Sequence, residues 1–403
     1  MRAYERLLHY ITFLTPSDEN CSETPSSKCQ FALAEELARE LQGLGVEDAT
    51  SDEHCYVYGH LPATEGYEDC TPIGFIAHMD TVADFCDHVP NPQIIENYDG
   101  KAVALGESGL VLDPATFPHL EKFKGRTLIT TDGTTILGAD DKAGIAEIMT
   151  LVEELKDQPH GPISVGFTPD EEIGNGTAFF DVAGFGAKYA YTLDGDLENE
   201  IQYETFNAAS AKVAVHGENV HPGSAKNAML NASLIAMEFD ALLPAAERAE
   251  RTEGYEGFYH LTQMEGTVSD ASLTYIIRDH DRTKLEHRLE TMKQAAKFLN
   301  ERYGEGRIEL TLVDQYHNMA EVLKEHPETI EKAKAAIVAA GLEPNTAPVR
   351  GGTDGAVLSF KGLPCPNFGT GGNCFHGPYE HITVEGMDKA VEIMHNLVKE
   401  YMH

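Results

Sequence analysis

Five short stretches each place a His, Asp or Glu where a strand should run out into a loop. They are Phe75-Ile76-Ala77-His78-Met79-Asp80, Leu137-Gly138-Ala139-Asp140-Asp141-Lys142, Phe167-Thr168-Pro169-Asp170-Glu171-Glu172, Tyr191-Thr192-Leu193-Asp194-Gly195 and Asn373-Cys374-Phe375-His376-Gly377. In an open α/β sheet, ligands gather outside the carboxyl ends of the strands. Two His and several carboxylates brought together there suit Zn²⁺, Mn²⁺ or Co²⁺. The pattern predicts a metal-dependent hydrolase.

Each stretch is weak alone. His78 and Asp80 are two apart, so on an extended chain they face the same way. A ligating His commonly gives its other N–H to a carboxylate, which makes His78 the ligand and Asp80 its orienting partner. Asp140 and Asp141 are ordinary capping acids for a helix start, or one of them bridges two cations. Glu171 and Glu172 can divide the work, one coordinating and the other free to take a proton from water. Asp194 has a competitor in Asp196, and His376 a rival in His381. Cys374, two residues before His376, reads as a small packing residue. The Gly-rich segments Arg350–Gly355 and Gly369–Gly372 lack the form of a phosphate cradle; they let the backbone turn sharply or approach a substrate. Recurrence, rather than any single motif, carries the reading.

The elements that must position these groups alternate between strand and helix. Residues 1–45 read as helical, interrupted near Thr15-Pro16-Ser17, and 57–61 and 73–77 read as strands. Residues 84–135 are rich in Pro, Gly and Asp and predict a long irregular excursion with short strands near 110–112 and 127–131; a connection that long is often functional. Residues 140–156 form a helix with Ile145, Ile148, Met149, Val152 and Leu155 on one face. Strands follow at 162–167 and 188–193, which predicts a mixed, mostly parallel sheet flanked by helices, an α/β fold. The rhythm then changes. A strand at 211–216, a helix at 225–243, strands at 258–264 and 271–278, a helix at 282–303 and a strand at 307–313 spell β-α-β-β-α-β, the ferredoxin-like split unit. From 314 the first pattern resumes, with helices at 328–340 and 384–402. The expected domains are therefore 1–206 with 314–403, and an inserted 207–313.

Bulk properties narrow the partners. The chain has 403 residues and a formal charge of −36, from 66 acidic and 30 basic side chains. That balance argues against a nucleic-acid backbone or an anionic membrane as partner, and its field attracts cations. No run of about 18 apolar residues suggests a membrane span, and the N-terminus reads as an amphipathic helix rather than a signal peptide. Seven scattered Cys without a C-x-x-C fit a reducing cytoplasm and no thiolate zinc site.

Taken together, the motifs resemble the peptidase T family, tripeptide aminopeptidases of the di-zinc metallopeptidase superfamily. The resemblance runs nearly end to end. It rests on A-H-M-D-T (77–81), L-G-A-D-D-K-A-G (137–144), F-T-P-D-E-E-I-G (167–174), A-Y-T-L-D-G (190–195), N-V-H-P-G-S-A-K (219–226), E-G-Y-E-G-F-Y-H-L (253–261), Y-I-I-R-D-H-D-R (275–282), R-G-G-T-D-G-A (350–356) and F-H-G (375–377). It implies release of the N-terminal residue of tripeptides through zinc-activated water. His78 and Asp194 would bind one Zn²⁺, Glu172 and His376 the other, and Asp140 would bridge; Co²⁺ or Mn²⁺ could replace zinc. Glu171 would be the general base and Asp80 would orient His78. The Asp140–Asp141 bond is similar to one that is cis in the family. The inserted domain would act as a lid bringing His221 to the oxyanion and Arg278 to the substrate carboxylate, with Arg350 the reserve for that grip. The resemblance also allows a homodimer through a sheet edge of that domain. Phe375 and Pro378 depart from the family's usual phenol and Lys, which could alter the rim of the substrate site. Nearby alternatives are a dipeptidase, a carboxypeptidase or an N-acyl amino acid amidohydrolase. The alternative of another class is a non-catalytic metal- or peptide-binding protein, which should lack the base or a ligand.

Overall fold

A computed structural model of the chain describes residues 1–402. The chain forms two compact units: Met1–Tyr203 with Val322–Ala347 and Thr353–His403, and Glu204–Glu321 with Pro348–Gly352.

The first unit is built on a seven-stranded sheet. Its order is Thr50–Ser51, Val57–Leu61, Ile163–Thr168, Ile73–His78, Tyr189–Gly195, Asn367–Gly369, Ile201–Gln202. The four middle strands from Ile163–Thr168 to Asn367–Gly369 are parallel, and the outer pairs are antiparallel. This is the expected α/β architecture. The strands Ile73–His78 and Ile163–Thr168 are buried at every residue. A parallel sheet covered on both faces demands that, so their sequences are continuous apolar or small runs without alternation. The helix Ala139–Leu155 is buried nearly all round, as a helix in the interior of a large domain must be. Gly144 lets it approach: a Cβ there would lie 2.2 Å from the Leu193 carbonyl oxygen. The helix is thereby held against the strand that carries Asp194.

The excursion at 84–135 is less irregular than its composition suggests. Tyr98, Leu105, Leu112, Leu120, Phe123 and Leu128 form a small core of their own. Leu128–Thr130 joins an antiparallel four-stranded sheet with Gln93–Ile95, His381–Thr383 and Gly372–Asn373.

The second unit carries an antiparallel sheet ordered Phe258–Gly266, Asp270–Asp279, Asn207–His216, Ile308–Tyr316, with helices Ala232–Ala241 and Arg282–Tyr303. Asp270–Asp279 alternates between buried and partly exposed residues, the mark of a sheet with one face on a core. The predicted helix at 225–243 begins only at Ala232. Asn227 takes a positive φ of 61°, Glu218 bridges to Leu230, and the Asn231 side chain caps the Leu234 N–H. A backbone bridge and a side-chain cap thus override helix propensity over the first turns. The compact unit also extends past the expected 207–313, because the last strand continues to Tyr316 and Asn318 bonds back to Thr205 and Asn207.

Candidate active site

Three adjacent parallel strands end side by side. His78 is the last residue of its strand, and Asp194 the last but one of Tyr189–Gly195. The register pairs Ile76 with Thr192, two residues before each ligand candidate. On the other flank His78 pairs with Thr168, from which the chain enters the short turn Glu171–Ile173. Asp140 opens the helix Ala139–Leu155 with extended dihedrals (φ −85°, ψ 102°), and its bond to Asp141 is cis. His376 sits in the loop after Gly372–Asn373 with φ +63°.

These elements bring together all seven candidates of the first unit. Asp140 divides its carboxylate between the two imidazoles. Its Oδ1 lies 3.0 Å from His78 Nε2, and its Oδ2 lies 2.9 Å from His376 Nε2. Asp194 Oδ1 is 3.4 Å from His78 Nε2, and Glu172 Oε2 is 3.0 Å from His376 Nε2. Ligand atoms of His78, Glu171 and Asp194 also fall within 4.8 Å of one another, as do those of His78, Asp140 and Glu172. Asp140 therefore stands between a His78–Asp194 side and a His376–Glu172 side, with Glu171 near the former. Of the rivals, Asp196 is exposed and lies near enough to feel the Asp140 charge but brings no oxygen into these groups of ligand atoms, and the His381 ring faces His119.

Asp80 does more than orient His78. His78 Nδ1 lies 3.0 Å from the Asp80 backbone carbonyl and 3.4 Å from its carboxylate, which leaves Nε2 turned to Asp140 and Asp194. The Asp80 carboxylate accepts from the backbone N–H groups of Glu171 and Glu172 at 2.9 and 3.2 Å. One buried acid thus fixes both a ligand and the turn that carries the paired glutamates. Asp170, in the left-handed region at φ +56°, anchors that turn from behind through Ser26 and Gln30.

Three further acids support the site through bonds that the motifs do not specify. Asp141 accepts from the His78 and Gly144 N–H groups. Asp354 accepts from the Thr168 hydroxyl at 2.7 Å, and its carboxylate fills the place a Cβ on Gly176 would take. Glu380 accepts three backbone N–H groups, from Leu137, Gly138 and Asp140, at 2.6, 2.9 and 3.0 Å. Only the place of Glu380, four residues beyond His376, hinted at its role.

Electrostatics suits cations. Burial, reinforced by the Asp194 charge, pushes Glu171 well above the usual carboxylate range. Burial also moves Glu172 up to about 7 and Asp194 up to about 6. Asp140 goes the other way, held low by hydrogen bonds from His376 and His78 that outweigh its burial. His376 is raised to about 10 by its bonds to Asp140 and Glu172. So many buried carboxylates around two imidazoles lack positive charge, and hard oxygen and imidazole donors are what Zn²⁺, Mn²⁺ or Co²⁺ take. The donor set fits a pair of divalent ions.

The other three candidates lie in the second unit. His221 opens a short turn, and its Nδ1 accepts from the Gly223 N–H. Arg278 donates through Nη1 to the carbonyls of Ala209 and Ile277 and to Gln315 Oε1, and its guanidinium lies over Tyr316. Its neighbour Asp279 is paired instead with Arg288. Arg350 donates to the Gly254 and Glu256 carbonyls and to Thr252, over the rings of Phe206 and Phe258. These contacts tie Arg350 to the 252–256 loop.

Comparison with known proteins finds relatives along the whole chain. Peptidase family M20/M25/M40 matches residues 126–400. Peptidase T of Clostridium perfringens strain 13 is 52% identical over 403 residues, covering 99% of each chain. Among solved structures, aminopeptidase PepT from Bacillus cereus has a TM-score of 0.77 at 25% identity, covering 100% of this chain and 98% of its own. A tripeptidase from Staphylococcus aureus has a TM-score of 0.78 at 20% identity, with the same coverage. Identity of that order along the whole length leaves one assignment: the chain belongs to peptidase family M20/M25/M40, and within it stands with peptidase T.

Proposed function

We propose that this chain is a metal-dependent tripeptide aminopeptidase that releases the N-terminal residue of tripeptides. One observation carries the reading: the two oxygens of Asp140 face different imidazoles, each accompanied by its own second carboxylate. The relatives named peptidase T and tripeptidase support the substrate class. The ligands are His78, Asp140 and Asp194 on one side and Asp140, Glu172 and His376 on the other, for two Zn²⁺ that Co²⁺ or Mn²⁺ can replace. Bound there, the ions would polarise the scissile carbonyl and make a water acidic enough to supply the nucleophile.

The protein groups do the rest. Glu171 takes the proton of the attacking water and passes it to the leaving amine. Asp80 keeps the Glu171–Glu172 turn and His78 in register. On the family pattern, His221 donates to the developing oxyanion and Arg278 grips the substrate carboxylate. Arg350 remains the reserve for that grip. The acidic cluster pairs with the free ammonium. A cation held at one end and an anion at the other make a ruler for tripeptides.

The test compares metal-loaded protein on di-, tri- and tetrapeptides and on N-acetylated tripeptides. Tripeptides with a free amine should be cut fastest. Rapid cleavage of the acetylated forms, or equal rates on all lengths, would refute the ruler. Release of the C-terminal residue would move the activity to a carboxypeptidase. Arg278→Ala should raise KM for tripeptides and blunt the length preference, whereas His221→Ala should lower kcat more than it raises KM.

We place the enzyme in the cytoplasm, on the seven free cysteines. Among the described residues no helix is long and apolar enough to cross a membrane. The edge strands Phe258–Gly266 and Ile308–Tyr316 are the surfaces through which two copies would pair.

A further inference from the structure

We propose that His119, Cys374 and His381 form a third metal site, a mononuclear thiolate–bis-imidazole centre for Zn²⁺, distinct from the cluster around Asp140. One ligand atom from each residue lies within 4.8 Å of the other two. The Nε2 atoms of His119 and His381 are 3.0 Å apart, with rings nearly parallel at 6°. Two imidazole nitrogens on a tetrahedral zinc, with Zn–N near 2.0–2.1 Å, sit roughly 3.3 Å apart. The rings now meet almost end to end, so binding the ion requires them to swing by roughly 35° until both lone pairs converge on a point off the N–N line.

The His381 tautomer is already set for ligation, while His119, which donates to it through Nε2, must move that proton to Nδ1 when the ion binds. His381 Nδ1 lies 2.7 Å from the Tyr379 carbonyl, so it carries the proton and leaves Nε2 with its lone pair. A backbone carbonyl on the far nitrogen is the usual support of a metal-bound His. Burial keeps both imidazoles neutral, His381 down at about 4 and His119 also below its ordinary value; neutral imidazole is the ligating form. Phe123 stands edge-on to both rings, and Phe117 packs edge-on to His119. The Cys374 backbone is in the left-handed region, φ +57°. A plain hydrogen bond between the two histidines would account for their rings but not for the thiol beside them. Sulfur with two imidazoles selects a borderline ion such as Zn²⁺ over Mg²⁺ or Ca²⁺. Three protein ligands leave a fourth position for water.

The ligands come from separate segments of the first unit. His119 lies on the turn Pro118–Phe123 of the long excursion, and His381 begins the strand His381–Thr383. Cys374 and His381 flank His376. An ion bound here would clamp both ends of the loop that presents His376 and tie it to the excursion. Cys374 then becomes a ligand rather than a packing residue, and His381 a ligand to a different ion from the one for which it rivals His376.

Cobalt distinguishes the sites. The Asp140 cluster offers only oxygen and nitrogen donors, so a near-ultraviolet thiolate-to-cobalt charge-transfer band reports a cysteine ligand. Protein loaded with Co²⁺ should show that band. Cys374→Ser should abolish it, and should retain one ion fewer per chain after dialysis in zinc buffer. His119→Gln should move the titration midpoint of the band to higher Co²⁺. Zinc-edge X-ray absorption of the unaltered protein, which needs no variant to fold, should contain a sulfur shell near 2.3 Å. Absence of the band at saturating Co²⁺, its persistence in Cys374→Ser, or a zinc spectrum without sulfur would overturn the proposal.

Discussion

Replacing Glu380 with Gln tests whether the active site is held by its backbone as well as by its ligands. In the structure one carboxylate oxygen accepts from Leu137 and Gly138, and the other from Asp140. A glutamine can turn its carbonyl to the first pair, but its NH₂ then faces the Asp140 N–H. One bond disappears, and two donors oppose each other in a buried site. A hydrogen bond to a charged group is worth about 1.5–3 kcal/mol, and a buried unpaired N–H costs about 1–3 kcal/mol. Some relaxation will recover part of the sum, so the expected loss is about 3 kcal/mol. That is roughly a hundredfold in the folded-to-unfolded ratio. Burial pushes Glu380 up to about 7 against the pull of its N–H bonds, so the comparison belongs at a pH above that value, where the carboxylate is ionised. Urea unfolding of the chelated protein, followed by circular dichroism, should show an earlier transition. The misplaced Asp140 should also weaken both metals together, by about 10- to 100-fold, the usual effect of losing a supporting bond. An unchanged midpoint together with unchanged affinity for both ions would show that the three N–H bonds do not position Asp140.

Other perturbations separate the roles further. Asp140→Ala should lose both ions and His78→Ala mainly one; metal analysis after dialysis checks this, and equal losses would deny the shared carboxylate. Glu171→Gln should keep its metal but lose about 10²–10⁴-fold in kcat, the range of general acid–base catalysis; near-full activity would remove Glu171 as the base. Glu147 is fully buried with both oxygens unpartnered, and burial raises its pKa well above 4.5. The folded state therefore keeps a proton that the unfolded state loses above that pH, so this residue lowers stability as pH rises from about 4.5 towards the folded pKa. Glu147→Met should stabilise by about 1–3 kcal/mol, more at pH 8 than at pH 5; a gain independent of pH would contradict this. Gly144→Ala should push the helix off the Leu193 carbonyl and lower both thermal stability and metal retention, whereas a neutral effect would mean that the strand yields at no cost.

How much of this was legible in the chain follows from the range of each interaction. His78, Glu171, Glu172, Asp194 and His376 stand out because strand ends are local: an apolar run, then a polar group, then a turn; Asp140, expected at such an end, instead opens a helix nine residues after the strand Leu128–Thr130. The alternating and continuous apolar patterns likewise announce the sheets, since burial on one face or two is written into neighbouring residues. The helix expected from residue 225 failed because Asn231 and the Glu218–Leu230 bridge act on a backbone that propensity alone would make helical. Pairing across distance was not readable. Glu380 meets Asp140 across 240 positions, Asp354 meets Thr168 across 186, and His119 meets His381 across 262. Spacing along the chain names none of these partners, because they are chosen by the sheet order. The sequence by itself determined which groups could hold metal and the family to which they belong. Only the tertiary structure decided which oxygen faces which imidazole, because those distances are set by strands brought side by side from remote parts of the chain.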